Sequence, residues 1–368
     1  MASLLPHLSE RSENLTKADI KSMTIDEVKQ AVLDLGQPSF RAGQIYSWLH
    51  QKGAQSFDEM TNLSKDLRQV LSDNFELKNC AIEKKLTSEY NNTVKYLFRL
   101  SDGEYIESVV MEYKYGYTIC ISTQVGCKMN CSFCASALDG FTRNLLPSEM
   151  LSQIYTAQND MNIRISHIVL MGMGEPLDNF DNVMRFFEII NGEQGANISA
   201  RHISLSTCGL VPQIYKLQDK KLQLTLSISL HAPSDEIRSR IMPVNHKWGV
   251  DELLDACRSY INATSRRISF EYAMIGGVND TDECANLLAK KLRGMLCHVN
   301  LIPANEVKEN DYVRSSNERL EAFSKILESK GINVTVRRSM GGDINASCGQ
   351  LRKGYKTGGN DFENSSKN

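Results

Sequence analysis

The stretch VGCKMNCSFCAS, residues 125–136, contains three cysteines within eight positions: Cys127, Cys131 and Cys134. A structural zinc site takes four ligands, usually as two spaced pairs, and a ferredoxin-type cluster takes four cysteines. No further Cys or His follows this triplet closely. Three thiolates on one loop can bind three corners of a 4Fe-4S cluster and leave one iron open. The triplet therefore predicts a cluster whose open iron can bind a ligand.

A second motif, GMGEP at residues 172–176, consists of residue types that suit a ligand-binding loop. Gly172 and Gly174 permit close backbone approach to a ligand, and Glu175 can accept a hydrogen bond from a ligand's ammonium group. Alone, the motif is more typical of a simple turn between a strand and a helix. Together with the cysteine triplet it favours a binding site.

The elements that must position these motifs follow from residue 118 onward, where short β-branched runs alternate with amphipathic helical runs. The β-branched runs are YTICIST, SHIVLMGMG, RHISLSTCG, LQLTLSISLH, RISFEYAMIGG, CHVNLIPAN and NVTVRRS. Alternation of this kind predicts an α/β fold with a parallel sheet, and the number of repeats favours a full or partial (β/α) barrel over a small doubly wound sheet. Polar residues and glycines gather after the runs, where such folds place their active sites.

The chain before the barrel divides into two further segments. Apolar residues three and four apart in TIDEVKQAVLDLG and FRAGQIYSWLHQKG predict helices, and alternation around SDG in residues 94–112 predicts a β-hairpin. We therefore predict a small helical N-terminal accessory domain at 1–90 and a β-hairpin linker at 91–117. The barrel then occupies 118–355, and the polar, glycine-rich residues 356–368 form a disordered tail.

Composition narrows the class of protein. The chain has 368 residues, of which 41% are hydrophobic and 23% charged, with a formal net charge of −2. These values are ordinary for a soluble globular protein, and neither a signal peptide nor a membrane-spanning run is evident, so we expect a cytoplasmic location. The net charge predicts no global attraction to nucleic acid, so any RNA contact must be local. Five scattered cysteines are interpreted as inert thiols: Cys80, Cys208, Cys257, Cys284 and Cys297.

Taken together, the motifs resemble the RlmN group of radical S-adenosylmethionine (SAM) methyltransferases, which methylate C2 of adenine in RNA and are related to the Cfr group. The residues that carry the resemblance are Glu107, Cys120, the triplet, GMGEPLDN, LSTCG, SLHAP, LIPAN and DINASCGQL. The resemblance implies a partial (β/α) barrel of the radical SAM type, with the cluster on the triplet and two SAM molecules used per turnover. It also implies a set of SAM contacts: Gly174, Glu175, Ser206, Ser229, Leu230, His231 and Asn305. His231 can also be interpreted as a satisfied core histidine.

The resemblance further implies a mechanism. C2 of adenine is electron-poor and its hydrogen is not appreciably acidic, so a carbon radical is required. Cys348 accepts a methyl group from one SAM, and a second SAM, cleaved at the open iron, yields a 5′-deoxyadenosyl radical that removes hydrogen from this methyl. The methylene radical adds to C2, and Glu107 or the Cys120 thiolate removes the C2 proton. Cys120 then attacks Cys348, which releases the RNA and leaves a disulfide.

Substrates and partners are implied in the same way. They are an adenosine in the peptidyl transferase centre of 23S ribosomal RNA, the adenosine on the 3′ side of the anticodon in transfer RNA, and an external electron donor such as flavodoxin or ferredoxin, with the protein acting as a monomer and without a membrane. GEPLDN favours C2 chemistry, since Cfr sequences more often have GEALAN; a Cfr-type C8 methyltransferase is the alternative. Five basic residues flank the chemistry and are candidates for RNA contact: Arg337, Arg338, Arg352, Lys353 and Lys356.

Two other classes of protein remain open at this stage, namely a radical enzyme with a small-molecule substrate and a non-catalytic iron-sulfur or zinc RNA-binding module. The N-terminal segment does not separate them, because its basic residues are interspersed with acids and suit a solvated helix face as well as phosphate contacts. These residues are Lys17, Lys21, Lys29, Arg41, Lys52, Lys65 and Arg68.

Overall fold

A computed structural model describes residues 17–138, 140–304, 312–337 and 341–344. The described chain is a mixed α/β structure built around one ten-stranded sheet. No helix in these ranges is both long and apolar enough to cross a membrane.

The N-terminal segment is helical, as its apolar spacing predicted. Its helices are α1 (Ile25–Asp34), α2 (Phe40–His50) and α3 (Lys65–Asn74). Helix α1 begins with a capping box, in which the Thr24 hydroxyl accepts from the Glu27 amide and the Glu27 carboxylate accepts from the Thr24 amide. These two bonds satisfy donors that a helix leaves free at its start. Short strands β1 (Ala18–Asp19) and β2 (Phe75–Glu76) pair in parallel and bring the two ends of the segment together.

The predicted hairpin is confirmed, and its strands belong to the large sheet. Strand β3 (Ala81–Thr87) pairs antiparallel with β4 (Val94–Arg99), which pairs antiparallel with β5 (Tyr105–Tyr113). Strand β5 also pairs antiparallel with β6 (Gly116–Cys120), the first strand of the βα repeat. The hairpin therefore extends one edge of the sheet.

Between β6 and the next helix the chain forms a small separate ribbon that carries the cysteine triplet. Strand β7 (Gln124–Gly126) pairs antiparallel with β8 (Phe141–Asn144), and the short helix α4 (Ala135–Leu138) lies between them. The ribbon was not predicted from the sequence.

All seven β-branched runs form strands of one parallel array. After β6 these strands are β9 (Ile165–Leu170), β10 (Ile203–Thr207), β11 (Thr225–Ser229), β12 (Ile268–Met274), β13 (Cys297–Pro303) and β14 (Val334–Val336). The helices along this part of the chain are α5 (Pro147–Met161), α6 (Phe180–Asn191), α7 (Val211–Asp219), α8 (Asp235–Ile241), α9 (Val250–Thr264), α10 (Asp282–Leu292) and α11 (Asn317–Ser329). Within the described residues β14 and β3 form the two open edges, so the barrel is partial.

The two faces of the parallel sheet differ in chemistry. On the outer face, five strands each contribute a side chain with no exposed surface to one hydrophobic core: Ile168, Leu205, Leu226, Phe270 and Val299. Because side chains alternate along a strand, their neighbours face the barrel interior, and these are mostly polar: Val169, Ser204, Ser227, Glu271 and Asn300. A separate apolar cluster of Val109, Met111 and Cys120 also lies on the inner face.

Candidate active site

The cysteine loop is held at both ends by backbone contacts. Gly126 has a φ of +77°, and a Cβ there would lie 1.8 Å from the carbonyl oxygen of Gly140, so only glycine fits. The Cys127 amide donates to the same carbonyl at 2.9 Å. On the far side, Ser132 donates its amide to the Ile241 carbonyl at 3.0 Å, and its hydroxyl lies 2.8 Å from the Tyr312 hydroxyl. The loop is therefore clasped between the ribbon, helix α8 and the segment before α11.

The three thiols lie close enough to influence one another's charge. Burial, together with the neighbouring Cys134 and Glu175, raises the pKa of Cys127 to about 12. Burial likewise raises the pKa of Cys131, as do both other cysteines, while Arg238 opposes the shift. All three side chains remain partly exposed. In the described ranges no three Cys, His, Asp or Glu side chains converge on a single-ion site, whereas a cluster spreads its thiolates over separate iron atoms.

The GMGEP loop packs directly on the chain that leads to the cysteines. A Cβ at Gly172 would lie 2.6 Å from the Ile121 carbonyl oxygen, and one at Gly174 would lie 2.5 Å from Cβ of Gln124. Both glycines thus permit close approach between two parts of this chain, and their predicted contact with a ligand stays a prediction. Thr123 and Gln124 also donate their amides to the Met173 carbonyl, at 2.9 Å and 3.2 Å.

Glu175 is buried and already fixed by protein donors. One carboxylate oxygen accepts from the Leu177 amide at 3.0 Å, and the other accepts from the Cys208 amide at 2.7 Å. Burial raises its pKa, although these amides and the Thr207 side chain favour the charged form. Two carboxylate oxygens offer about four acceptor positions, and the protein donors around Glu175 already engage most of them, so its contact with the ammonium group of a ligand stays a prediction.

The remaining described SAM candidates lie at the carboxyl ends of β10 and β11. The hydroxyls of Ser206 and Ser229 are 3.4 Å apart. The Leu230 side chain is fully buried, and its amide donates to the Glu271 carbonyl at 3.1 Å, so no side-chain surface of Leu230 is left for a ligand. Asn305 lies outside the described residues.

His231 combines a structural contact with a position beside the cysteine loop. It has a φ of +56°, in the left-handed region that non-glycine residues rarely adopt. Its Nδ1 accepts from the Ala273 amide at 2.8 Å, and its ring meets the Phe133 ring edge-on with centroids 4.9 Å apart. Burial, assisted by Arg238, lowers the pKa of His231 to about 3, so the ring is neutral. Nδ1 is therefore satisfied by the protein, which leaves Nε2 for a ligand.

Glu107 and Cys120 share the inner face of the sheet. Cys120 is the register partner of Val109, and Glu107 precedes Val109 by two residues on the same face. The Glu107 carboxylate forms an ion pair with Lys95 at 2.9 Å, with both side chains buried. The Ser122 hydroxyl donates to the Glu107 carbonyl at 2.7 Å and accepts from the Met173 amide at 3.0 Å, which ties this region to the GMGEP loop. Cys348 lies outside the described residues.

Two charged residues of the site gave no sequence signal. Lys95 looked like an ordinary polar position in a hairpin, yet it pairs with Glu107. Arg238 is fully buried, and its guanidinium donates to four acceptors: the carbonyls of Leu230, Ser229 and Cys208 at 3.0, 3.2 and 2.6 Å, and Oδ1 of Asn245 at 3.0 Å. It thereby joins the SLH and STC segments.

Of the basic residues near the chemistry that are candidates for RNA contact, Arg337 is described, whereas Arg338, Arg352, Lys353 and Lys356 lie outside the described ranges.

Comparisons with known proteins agree with this architecture. Residues 121–288 match the radical SAM superfamily, and residues 18–77 match the ribosomal RNA large subunit methyltransferase N-terminal domain. A protein of Lachnospira eligens described as a probable dual-specificity RNA methyltransferase RlmN is 53% identical over 92% of this chain and 96% of its own length. One of Alkaliphilus oremlandii with the same description is 55% identical over 92% of this chain and 98% of its own length.

The chain belongs to the RlmN family of radical SAM RNA methyltransferases. The crystal structure of a radical SAM methyltransferase from Sphaerobacter thermophilus superposes with a TM-score of 0.86 at 42% identity, covering 90% of this chain and 98% of that one. Membership of the superfamily implies a 4Fe-4S cluster and the use of SAM. These findings confirm the predicted family and fold class.

Proposed function

We propose that this enzyme methylates C2 of an adenosine in the peptidyl transferase centre of 23S ribosomal RNA and of the adenosine 3′ of the anticodon in transfer RNA. The observation that carries the proposal is the placement of Cys120 and Glu107 together on the inner face, where β6 ends and the cysteine loop begins. A radical enzyme for a small molecule would not need a thiol and a carboxylate there. The RlmN relatives are themselves described as dual-specificity RNA methyltransferases.

Cys127, Cys131 and Cys134 would hold the cluster. The fit rests on three neighbouring, partly exposed thiols on a loop that is clasped at both ends. Burial raises the pKa of Cys127 and Cys131 while no cation is bound, and a bound cluster would hold the thiolates in their charged form. When bound, the cluster supplies the electron for reductive cleavage of SAM, and with it a carbon radical.

Residues around the cysteine loop would bind SAM. Glu175 would accept from the SAM ammonium group, because it lies close enough to the cysteine loop to raise the pKa of Cys127 and its carboxylate is fixed by two amides. Ser206 and Ser229 would contact the ribose, and His231, Gly174, Leu230 and Asn305 complete the set implied by the family. Since the Leu230 side chain is buried, its contribution would come from the backbone.

The two catalytic cysteines would act in sequence. Cys348 would attack the methyl group of a first SAM through its thiolate and carry that carbon to C2 of the adenine. Glu107 or the Cys120 thiolate would then take the C2 proton. The Cys120 thiolate would attack the Cys348 sulfur, which forms the S–S bond and breaks the bond between sulfur and the transferred carbon. That carbon would take up a proton to become the methyl group, and the unpaired electron of the adduct would return to the donor that supplied it. A reductant would then reduce the disulfide, and an external electron donor such as flavodoxin or ferredoxin would serve the cluster.

The RNA would be held by the accessory segment and by residues near the chemistry. Lys17, Lys65 and Arg68 line one cleft of about 690 Å³ beside α3, where they could meet phosphates. Lys21 is excluded from this role, because it is fully buried and donates to Asn79 and Ser152. Burial raises the pKa of Tyr113, and Arg337, which follows β14, lies near enough to oppose this rise, so Arg337 lies near the barrel strands.

The proposal is tested by digesting RNA after reaction and separating the nucleosides against authentic 2-methyladenosine and 8-methyladenosine. We expect 2-methyladenosine from both ribosomal and transfer RNA, and none with Cys348→Ala. A product that is wholly 8-methyladenosine would show that the enzyme is a Cfr-type C8 methyltransferase. Since the two carbons differ in position by only a few ångströms, this assay tests how the flipped base is held.

A further inference from the structure

The inner face of the sheet carries one carboxylate that the proposed steps do not use. Glu271 lies in β12 between Phe270 and Tyr272, which are both fully buried in the outer core. Alternation therefore turns the Glu271 side chain toward the barrel interior. Its register partners are Ser229 of β11 and Asn300 of β13. Glu271 thus lies level with one of the proposed SAM contacts.

The two oxygens of this carboxylate have different surroundings. Oε1 accepts from the Ser269 hydroxyl at 3.0 Å and from the Asn300 side-chain amide at 3.2 Å. Oε2 is buried and has no hydrogen-bond partner among the described residues. Glu271 is only 4% exposed, and a buried carboxylate oxygen that lacks a donor is costly. The arrangement fits a ligand that brings its own donor.

The chemistry of the site narrows that donor. A carboxylate oxygen accepts and does not donate, so the ligand must present an N–H or O–H group. A flipped adenine offers its exocyclic N6 amine, whereas guanine presents the O6 acceptor at the same position. The ribose hydroxyls of SAM are the other donors, but Ser206 and Ser229 are available to them.

We propose that Glu271 is a specificity-determining residue that accepts a hydrogen bond from the N6 amine of the target adenine. Ser269 and Asn300 act as positioning residues, because they engage Oε1 and leave Oε2 directed to the base. The inference rests on the proposed function and adds the group that recognises adenine.

The test uses two RNA stem-loops that differ only at the target nucleotide, which is adenosine in one and purine riboside in the other. Purine riboside lacks the N6 amine but keeps the C2 hydrogen. Methylation kcat/KM and the equilibrium Kd of each RNA are measured for wild type, Glu271→Gln and Glu271→Ala. A hydrogen bond to a charged group corresponds to about a tenfold to hundredfold preference, so we expect wild type to prefer adenosine by that factor. Glu271→Ala should reduce the preference to about twofold or less, and Glu271→Gln, whose amide oxygen is an uncharged and weaker acceptor, should reduce it part of the way.

A matched control comes from the same face of the sheet. Ser204→Ala removes a hydroxyl that lies 3.1 Å from Ser227 and has no bond to Glu271. It should retain the wild-type preference for adenosine. Intrinsic differences in reactivity between the two RNAs cancel, because each variant is compared with wild type on both. Unfolding midpoints show which variants are folded. If Glu271→Ala does not fold, the test is made with Glu271→Gln, which keeps the shape of the side chain.

Three results would overturn the inference. In the first, folded Glu271 variants keep the wild-type preference. In the second, they lose activity equally on both RNAs and raise the KM for SAM, which would assign Glu271 to the cofactor. In the third, active wild type shows no preference. Wild type that methylates neither RNA would instead overturn the proposed function and this inference with it, so the two failures are distinguishable.

Discussion

The two faces of the parallel sheet use the same strands for different purposes. On the outer face, Ile168, Leu205 and Phe270 are fully buried in a continuous apolar core. On the inner face, the Ser204 hydroxyl lies within hydrogen-bond distance of Ser227, and the Asn300 side-chain amide donates to Glu271. Apolar burial is the main source of folding free energy, whereas polar groups can orient ligands only where they are kept from water. The outer face therefore stabilises the fold, and the inner face is available for chemistry.

The largest effect on stability is expected from the outer face. Phe270→Ala should lower the free energy of unfolding by about 3–5 kcal/mol, because it removes a large buried side chain and leaves a cavity. Ser204→Ala on the inner face should cost about 1 kcal/mol or less, since it removes one hydroxyl. Urea unfolding measures both values. Equal losses in the two variants would contradict the division between the faces.

The inner face also contains polar side chains that we expect to contribute to stability, namely the buried ion pair between Lys95 and Glu107. Lys95→Met should lower the free energy of unfolding by about 3 kcal/mol, because Glu107 stays buried without this cation. The double variant Lys95→Met/Glu107→Leu should recover most of that stability and still fail to regain activity. If the single variant were as stable as wild type in urea, the pair would have no structural role.

A smaller effect concerns acid stability on the outer side, where the N-terminal helices dock. His50 of α2 is buried with its Nδ1 3.2 Å from the Tyr155 hydroxyl, and burial lowers its pKa to about 3. The unfolded chain takes up this proton near pH 6.5, so the unfolded state binds more protons between about pH 6.5 and 3 and stability falls as pH falls. From pH 7 to pH 5 the loss is about 2 kcal/mol. His50→Gln should show a shallower decline in unfolding free energy with pH; an unchanged slope would contradict the assignment.

Much of this fold could be predicted from the sequence, because most of its strands and helices have a recognisable pattern of residues within their own segment. All seven β-branched runs became strands of the parallel array, and the apolar periodicity of TIDEVKQAVLDLG matches α1. The β7–β8 ribbon was missed because its strands have only three and four residues. Helix α8, with seven residues, is likewise too short for a periodic pattern to emerge.

The site could be predicted where chemistry depends on spacing along the chain, as in the cysteine triplet. The parts of the site in which residues from different strands or loops meet could not be predicted. The pairing of Lys95 with Glu107 depends on the register of β4 and β5, and Arg238 reaches four acceptors from three separate segments. Gly172 and Gly174 likewise make close contacts with Ile121 and Gln124, which are about fifty residues earlier in the chain. These contacts exist only in the folded chain.

The central claim is that the inner face performs a methyl transfer in which Cys120 resolves an RNA adduct on Cys348. The most direct measurement is mass spectrometry of anaerobically reconstituted Cys120→Ala after incubation with SAM, reductant and substrate RNA. Because neither methylation of Cys348 nor formation of the RNA adduct needs a resolving thiol, the variant should accumulate a covalent protein–RNA species, whereas Cys120→Ala/Cys348→Ala should give none. Normal turnover of RNA by Cys120→Ala, with no adduct, would contradict the account.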